Sequence, residues 1–155
     1  MHGDVKTTLE CGLKRFIGCL ILVCSALAAH ADVSNVAVSH ARVRLLPGDL
    51  PLAGYFVLGN QSSHPITLIG ASCPDFAMVM MHRSVHENGM DRMVGVKSLE
   101  VAPGKAVRFA PGGYHLMLMH RRHPMHVGDM VPITLHFVDG GERRIEFRVV
   151  GATDQ

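Results

Sequence analysis

The sequence predicts a single-domain, all-β fold, an antiparallel sandwich or barrel. Short segments rich in Val, Ile, Leu and Phe alternate with Gly, Pro, Asn and Asp turn signals, a pattern typical of many short strands. After residue 31, no stretch has a sustained 3.6-residue apolar period, so little helix is expected. We expect strands near residues 35–45, 54–60, 66–72, 76–82, 91–95, 105–110, 114–120, 131–138 and 142–150.

The last expected strand shows how the layers should be arranged. Ile145 and Phe147 lie on one face of it, whereas Glu146 and Arg148 lie on the other. The strand before it alternates in the same way. Strands with one apolar and one polar face need a second layer to cover the apolar side. The sequence therefore predicts a two-layer fold.

Residues 1–31 are expected to be a signal peptide that is absent from the mature domain, residues 32–155. Lys14 and Arg15 precede an uncharged apolar run, and Ala29-His30-Ala31 supplies a small-x-small cleavage pattern. The run covers 13 residues, whereas a membrane-spanning helix needs about 20. An uncleaved anchor is the alternative. Lipidation is disfavoured, because neither Cys19 nor Cys24 follows the leucine and small-residue pattern of a lipidated cysteine.

The remaining composition excludes several classes of function. Outside the leader, the chain has 12 Lys and Arg residues and 11 Asp and Glu residues, and the whole chain has no Trp. This balance gives no electrostatic reason to bind nucleic acid or an anionic membrane. Cys73 is the remaining cysteine and cannot form an internal disulfide. We expect it to be a small buried hydrophobic residue.

Methionine and histidine are concentrated in one part of the chain. After Met1, all nine methionines lie between residues 78 and 130, together with six of the nine histidines outside the leader. A single methionine is usually flexible core filler, but core filler would be spread over all strands. The clustering therefore favours a role in ligand binding.

The chemistry of these two residue types favours Cu(I). Thioether sulfur is soft and neutral and imidazole is borderline, a set that suits Cu(I) better than Zn²⁺, Mg²⁺ or Ca²⁺. A thiolate would be exposed to disulfide formation in an oxidising compartment. Methionine forms no disulfide and needs no deprotonation, so only the histidines would make binding depend on pH.

Two local patterns bring such side chains together. Period-two alternation places His115, Met117 and Met119 on one face of a strand, with the intervening leucines on the other. The Asn88-Gly89 pair predicts a two-residue hairpin turn. In that register Met93 lies opposite Ser84 and diagonal to His82, within reach of long side chains.

In the spacing of these histidines and methionines, the sequence resembles the periplasmic PCu(A)C-type copper chaperones. The spacing of His82, Met93, His115 and Met117 matches their His-Met signature, and the block from Pro111 to Met119 is also similar. The resemblance implies a cupredoxin-like Greek-key β-sandwich with these four residues as ligands of an exposed Cu(I) site. It also implies copper delivery to cytochrome c oxidase, especially its CuA centre, or general periplasmic copper handling.

Other methionines and histidines leave alternatives open. Met80 and Met81 precede His82, which leaves open whether Met81 competes for the metal. His120, His123 and His126 could form a secondary Cu(II) site. The favoured alternative for these three is a solvated loop, since Pro124 prevents a helix that would align the rings.

The leading functional hypothesis is a periplasmic, monomeric Cu(I) chaperone with a copper-binding β-sandwich domain at residues 32–155. Its expected partner is a copper-accepting protein, such as a cytochrome c oxidase subunit or another assembly factor. We expect no nucleic-acid partner and no membrane insertion after signal cleavage. The alternative is an envelope protein-interaction module with an incidental metal site. An enzyme is not expected, and a blue-copper electron carrier would need a thiolate beside the histidines, where Cys73 is not placed.

Overall fold

The computed structural model describes residues 35–87 and 89–154, and every regular element among them is a β-strand. The strands are β1 (Val36–Arg44), β2 (Leu52–Asn60), β3 (Ile66–Ser72), β4 (Phe76–Glu87), β5 (Met90–Gly95), β6 (Leu99–Val101), β7 (Ala106–Phe109), β8 (Tyr114–Arg121), β9 (Met130–Phe137) and β10 (Glu142–Val150). This described part contains no helix able to span a membrane. The expected signal peptide lies outside the described residues.

All nine expected strands are present, with two differences. β4 continues to Glu87 instead of ending near residue 82, because its second half pairs with β5. β6 was not expected from the sequence. It has three residues and pairs with β3, with Ile66 opposite Val101 and Leu68 opposite Leu99. A strand this short carries too little alternation to be recognised by its pattern.

The strands form one hydrogen-bonded sheet in the order β5-β4-β8-β7-β2-β1-β10-β9-β3-β6. Several neighbours in the sheet are distant in the sequence, as in a Greek-key arrangement. Met81 of β4 and Leu68 of β3 come from opposite ends of this order, yet both belong to the same buried cluster. The sheet therefore curls over so that its two halves enclose one core, which confirms the predicted all-β, two-layer fold.

Aromatic side chains occupy the centre of this core. The ring of Phe56 stacks on Phe109 at a centroid distance of 4.2 Å and meets the edge of Phe147 at 5.5 Å. Leu116 and Leu118 of β8 are 0% and 1% exposed in the same cluster. Burial of these two leucines fixes which face of β8 points away from the core.

The side chain of Asn60 stabilises the turn after β2 by hydrogen bonds. Its side-chain amide donates to the carbonyl oxygens of His64 at 2.7 Å and Val101 at 2.9 Å. Its side-chain oxygen accepts from the backbone N–H of Ser62 at 2.9 Å. Asn60 is buried, so these bonds satisfy an amide that would otherwise be costly to bury. The network ties the turn to β6.

Gly54 lies at a close approach between β2 and β8. A Cβ atom there would lie 3.2 Å from the Cβ of Leu116, an atom that moves only with the backbone of β8. We expect Gly54→Ala to lower the free energy of unfolding by about 1–3 kcal/mol, the usual cost of overpacking. Urea denaturation would measure the change.

Gly59→Ala is the matched control in the same strand. The nearest atom to a Cβ at Gly59 is the Cβ of Ala37 at 3.6 Å, an ordinary contact. Alanine also restricts the unfolded chain more than glycine, so this variant should be as stable as the native protein or more stable. Equal destabilisation by both substitutions would contradict the close approach at Gly54.

Candidate metal centre

The pairing of β4 with β8 places a column of histidine and methionine side chains on one face of the sheet. His82 lies directly opposite His115, and Met80 lies opposite Met117. The next pair in the column is Met78 with Met119. Residues two apart on a strand share a face, so all three pairs project from the same side.

The β4–β5 hairpin adds a further methionine to this face. Met93 lies opposite Ser84, and Gly95 lies opposite His82. Met93 is therefore diagonal to His82 on the same face, which confirms the register predicted from the hairpin turn. Glu87 pairs with Met90, as a two-residue turn requires.

The four sequence-predicted ligands thus lie on three adjacent strands, but at different depths. His115 is only 6% exposed, Met117 is half-buried, and Met93 is 62% exposed. A cavity of about 310 Å³ opens beside three of them, Met93, His115 and Met117, and its lining also includes Ser84, Tyr55 and Arg44. One side of the site is therefore held by the sheet, and the Met93 side is open to solvent.

The backbone fixes which nitrogen of His115 is free. Its Nδ1 lies 3.2 Å from the carbonyl oxygen of Gly113. A carbonyl oxygen only accepts, so Nδ1–H is the donor in this bond. In the neutral ring Nε2 then carries the free lone pair, and the bond also orients the ring, as is usual for metal-binding histidines.

His82 completes the facing pair. The His82 and His115 ring centroids are 5.9 Å apart, with the ring planes at 77°. Nδ1 of His82 is buried without a hydrogen-bond partner, which is costly for a polar atom. Burial, with a smaller contribution from His115, holds the pKa of His82 below its ordinary value of 6.5. The ring is therefore kept neutral, the form that binds a metal ion.

This lowered pKa of His82 predicts how the stability of the metal-free protein depends on pH. As the pH falls below 6.5, the unfolded chain binds a proton at His82 before the folded chain does. The free energy of unfolding should then decrease until the pH passes the folded-state pKa. Thermal unfolding between pH 7.5 and 5 would measure this. His82→Gln should remove that part of the pH dependence, and an unchanged profile would contradict the assignment.

The exposure of the methionines argues against a packing role for most of them. Of the nine after Met1, Met81 and Met125 are buried. Five are exposed by between 41% and 64%, namely Met78, Met80, Met90, Met93 and Met130. Core filler cannot account for apolar side chains that face water.

The question left open about Met81 is answered by the pleat of β4. Met81 is 4% exposed and lies in the core, opposite Leu116, so it does not lie on the ligand face. Met80 does, beside His82 and opposite Met117. Met80 is two residues before His82, so the period-two rule applied to β4 is a signal in the sequence that places it on this face.

The structure does not bring His120, His123 and His126 together. Nε2 of His123 pairs with Asp75 at 3.0 Å, and Nδ1 of His126 lies 3.8 Å from Asp129. Within residues 35–87 and 89–154, no three His, Cys, Asp or Glu side chains form a group that could hold a metal ion. The alternative of a secondary Cu(II) site therefore has no geometric support, and these histidines lie on an exposed strand end and loop, in agreement with the favoured interpretation of a solvated loop.

Cys73 is buried and free, as expected. Burial raises the pKa of its thiol above the ordinary value of 9.0. The thiol therefore stays protonated at neutral pH and is not a ready metal ligand.

Two hydrogen bonds that the sequence did not predict link Ser72, His136 and Glu142 across three strands. Nε2 of His136 lies 2.8 Å from the hydroxyl of Ser72, and Nδ1 lies 3.0 Å from Glu142. The carboxylate of Glu142 is 63% exposed. On an open sheet face, water competes for each of these bonds, and the trio is a surface polar ladder of β3, β9 and β10.

Comparison with known proteins identifies the family of this chain. The family model LpqE-like, described as "Putative lipoprotein LpqE-like", matches residues 36–149. The chain belongs to this family. It is 31% identical over 136 residues to "Putative lipoprotein Lxx21020" of Leifsonia xyli subsp. xyli, covering 86% of this chain and 81% of that protein.

Solved structures place this LpqE-like chain among the PCuAC domains. The copper-bound PCuAC domain of PmoF2 is 26% identical, with a TM-score of 0.62 over 76% of this chain and 93% of that domain. The Cu(I) form of DR1885 from Deinococcus radiodurans is 30% identical, with a TM-score of 0.59 over 83% of this chain and 86% of that one. The resemblance and the cupredoxin-like fold expected from the sequence are thereby confirmed.

Proposed function

We propose that this chain is an exported metallochaperone that binds one Cu(I) between His82, Met93, His115 and Met117. The observation that carries the proposal is the facing pair of histidines on β4 and β8, with two methionines on the same sheet face. Two neutral imidazoles and two thioethers form a soft, uncharged ligand set that suits Cu(I). The similar structures of PmoF2 and DR1885, described as copper-bound and Cu(I)-bound, support this choice of ion.

The unequal exposure of the ligands suggests how the ion is passed on. His115 is buried and oriented by Gly113, whereas Met93 is 62% exposed on the solvent side. An acceptor thiolate approaching from solvent would displace Met93 first and then take the ion from the buried side. This is transfer by ligand exchange, and it requires no catalytic step. We accordingly propose a carrier and not an enzyme.

The proposed acceptor is a copper-accepting protein of the envelope, in particular a cytochrome c oxidase subunit with a CuA centre or another assembly factor. General periplasmic copper handling is the broader form of the same role. The resemblance to PCu(A)C-type chaperones supports this acceptor. Export to the periplasm is supported by the leader pattern of residues 1–31 and by the lipoprotein description of the family and of the Leifsonia relative.

Complementation of a deletion strain would test the delivery role. The native gene should restore the CuA content of the oxidase, measured by its optical spectrum and by oxidase activity. The variant His82→Gln/His115→Gln should not restore it, because this variant loses two ligands of the copper site while the rest of the protein surface is unchanged. Met90→Leu/Met130→Leu, which changes two other exposed methionines, is the matched control. Full restoration by the histidine variant would favour an interaction module with an incidental metal site.

A further inference from the structure

The methionine pairs beyond the histidines form a group of their own. Met80 lies opposite Met117, and Met78 lies opposite Met119, on the face that also carries His82 and His115. Directly paired residues have Cβ atoms about 4.5–5.5 Å apart, and residues two apart on a strand are separated by about 7 Å. The thioether sulfur lies two bonds beyond Cβ, so four sulfurs at the corners of this rectangle can converge over its centre.

From this geometry we propose a second soft-metal site, formed by Met78, Met80, Met117 and Met119. The inference rests on the proposed function to the extent that Met117 belongs to both sites. Met78 and Met80 are 46% and 41% exposed, and Met117 and Met119 are half-buried. An ion can therefore reach the quartet from solvent without opening the core.

The chemistry of the quartet determines which ion it takes. All four ligands are neutral thioethers, which bind soft monovalent ions such as Cu(I) and offer little to Zn²⁺, Mg²⁺ or Ca²⁺. Without an imidazole, the quartet should bind more weakly than the His-Met site. It should also bind independently of pH, since thioethers do not titrate in the physiological range.

The position of the quartet gives it a role in the movement of copper. Its nearer pair, Met80 and Met117, lies one step along the β4–β8 ladder from the histidine pair, about 7 Å away. Met117 is common to both sites, so an ion can pass between them by exchanging the other ligands around Met117. When both sites are filled, Met117 stays with the ion at the His-Met site, and Met78, Met80 and Met119 hold the second ion. The quartet would then be a loading or exit position for the tighter site.

Methyl NMR of the exported protein, labelled with ¹³C at the methionine methyl groups, tests this inference. Under anaerobic conditions, the first equivalent of Cu(I) should shift the methyl signals of Met93 and Met117. The second equivalent should shift those of Met78, Met80 and Met119. Copper analysis after removal of free ion should give two Cu(I) per native chain.

Leucine variants provide the decisive comparison, because Met and Leu have similar volumes and the swap preserves packing. Met78→Leu/Met80→Leu/Met119→Leu should bind one Cu(I), whereas the control Met90→Leu/Met130→Leu should still bind two. His82→Gln/His115→Gln should lose the first binding event and keep the second.

Two outcomes separate failure of this site from failure of the proposed function. If the first equivalent shifts Met93 and Met117 but no second ion binds, or if the triple leucine variant still binds two ions, the quartet proposal is overturned and its methionines are an apolar contact surface. If the first equivalent leaves Met93 and Met117 unshifted, the proposed function itself fails.

Discussion

The variant His82→Gln/His115→Gln is expected to bind Cu(I) at least about 100-fold more weakly than the native chain at the tighter site. Loss of a side chain that merely supports a metal ligand typically costs 10–100-fold in affinity, and this variant removes two ligands outright. Glutamine is neutral and polar like the imidazoles, and the core leucines of β8 are unchanged. A competition assay with a chromophoric Cu(I) ligand would measure the loss, with circular dichroism to confirm the fold.

His123→Gln/His126→Gln is the control for that experiment. These two histidines pair with Asp75 and Asp129, and their rings are not part of the His82–His115 column. The control variant should bind Cu(I) as tightly as the native chain. If the control loses affinity and the His82/His115 variant does not, the ion lies on the loop after β8, and the assignment of the site is wrong.

The largest expected effect on stability is that of Leu116→Ala. Leu116 is fully buried and lies between His115 and Met117, on the opposite face of β8. Truncation of a buried leucine costs about 2–5 kcal/mol, since it removes apolar contacts and leaves a cavity. Urea denaturation of the metal-free protein should show this decrease in the free energy of unfolding.

Met117→Leu is the matched comparison on the neighbouring position. Met117 is half-buried on the ligand face, and a volume-conserving swap of this kind usually costs less than about 1.5 kcal/mol. It should reduce Cu(I) affinity and leave the stability of the metal-free protein nearly unchanged. Of these two adjacent residues, Leu116 would then determine the stability of the fold and Met117 the affinity for Cu(I). A larger loss of stability in Met117→Leu than in Leu116→Ala would contradict this division of β8.

The features that could be predicted from the sequence are those set by local rules. The two faces of β8 follow from strict alternation, and burial of Leu116 and Leu118 confirms it. The position of Met93 opposite Ser84 follows from a two-residue turn, because the turn length sets the register of a hairpin. These two rules placed the four proposed ligands in two pairs, His115 with Met117 and His82 with Met93.

The features that could not be predicted depend on contacts between distant segments. His82 lies opposite His115 because β4 pairs with β8, two strands separated by more than 25 residues. No local pattern sets this register. It also decides that Met80 lies opposite Met117. The free nitrogen of His115 depends on the carbonyl of Gly113, a backbone atom whose position only the folded structure gives.

A Cu(I) titration of the exported protein against a competing chromophoric ligand, repeated with Met93→Leu/Met117→Leu, would show whether the His-Met site holds the ion. We expect one tightly bound ion in the native chain and a large loss of that affinity in the leucine variant. Both substitutions conserve volume, so the fold should persist and the loss can be assigned to the thioethers. Undiminished tight binding by the variant, or no Cu(I) binding by the native chain, would contradict a His-Met site on β4, β5 and β8.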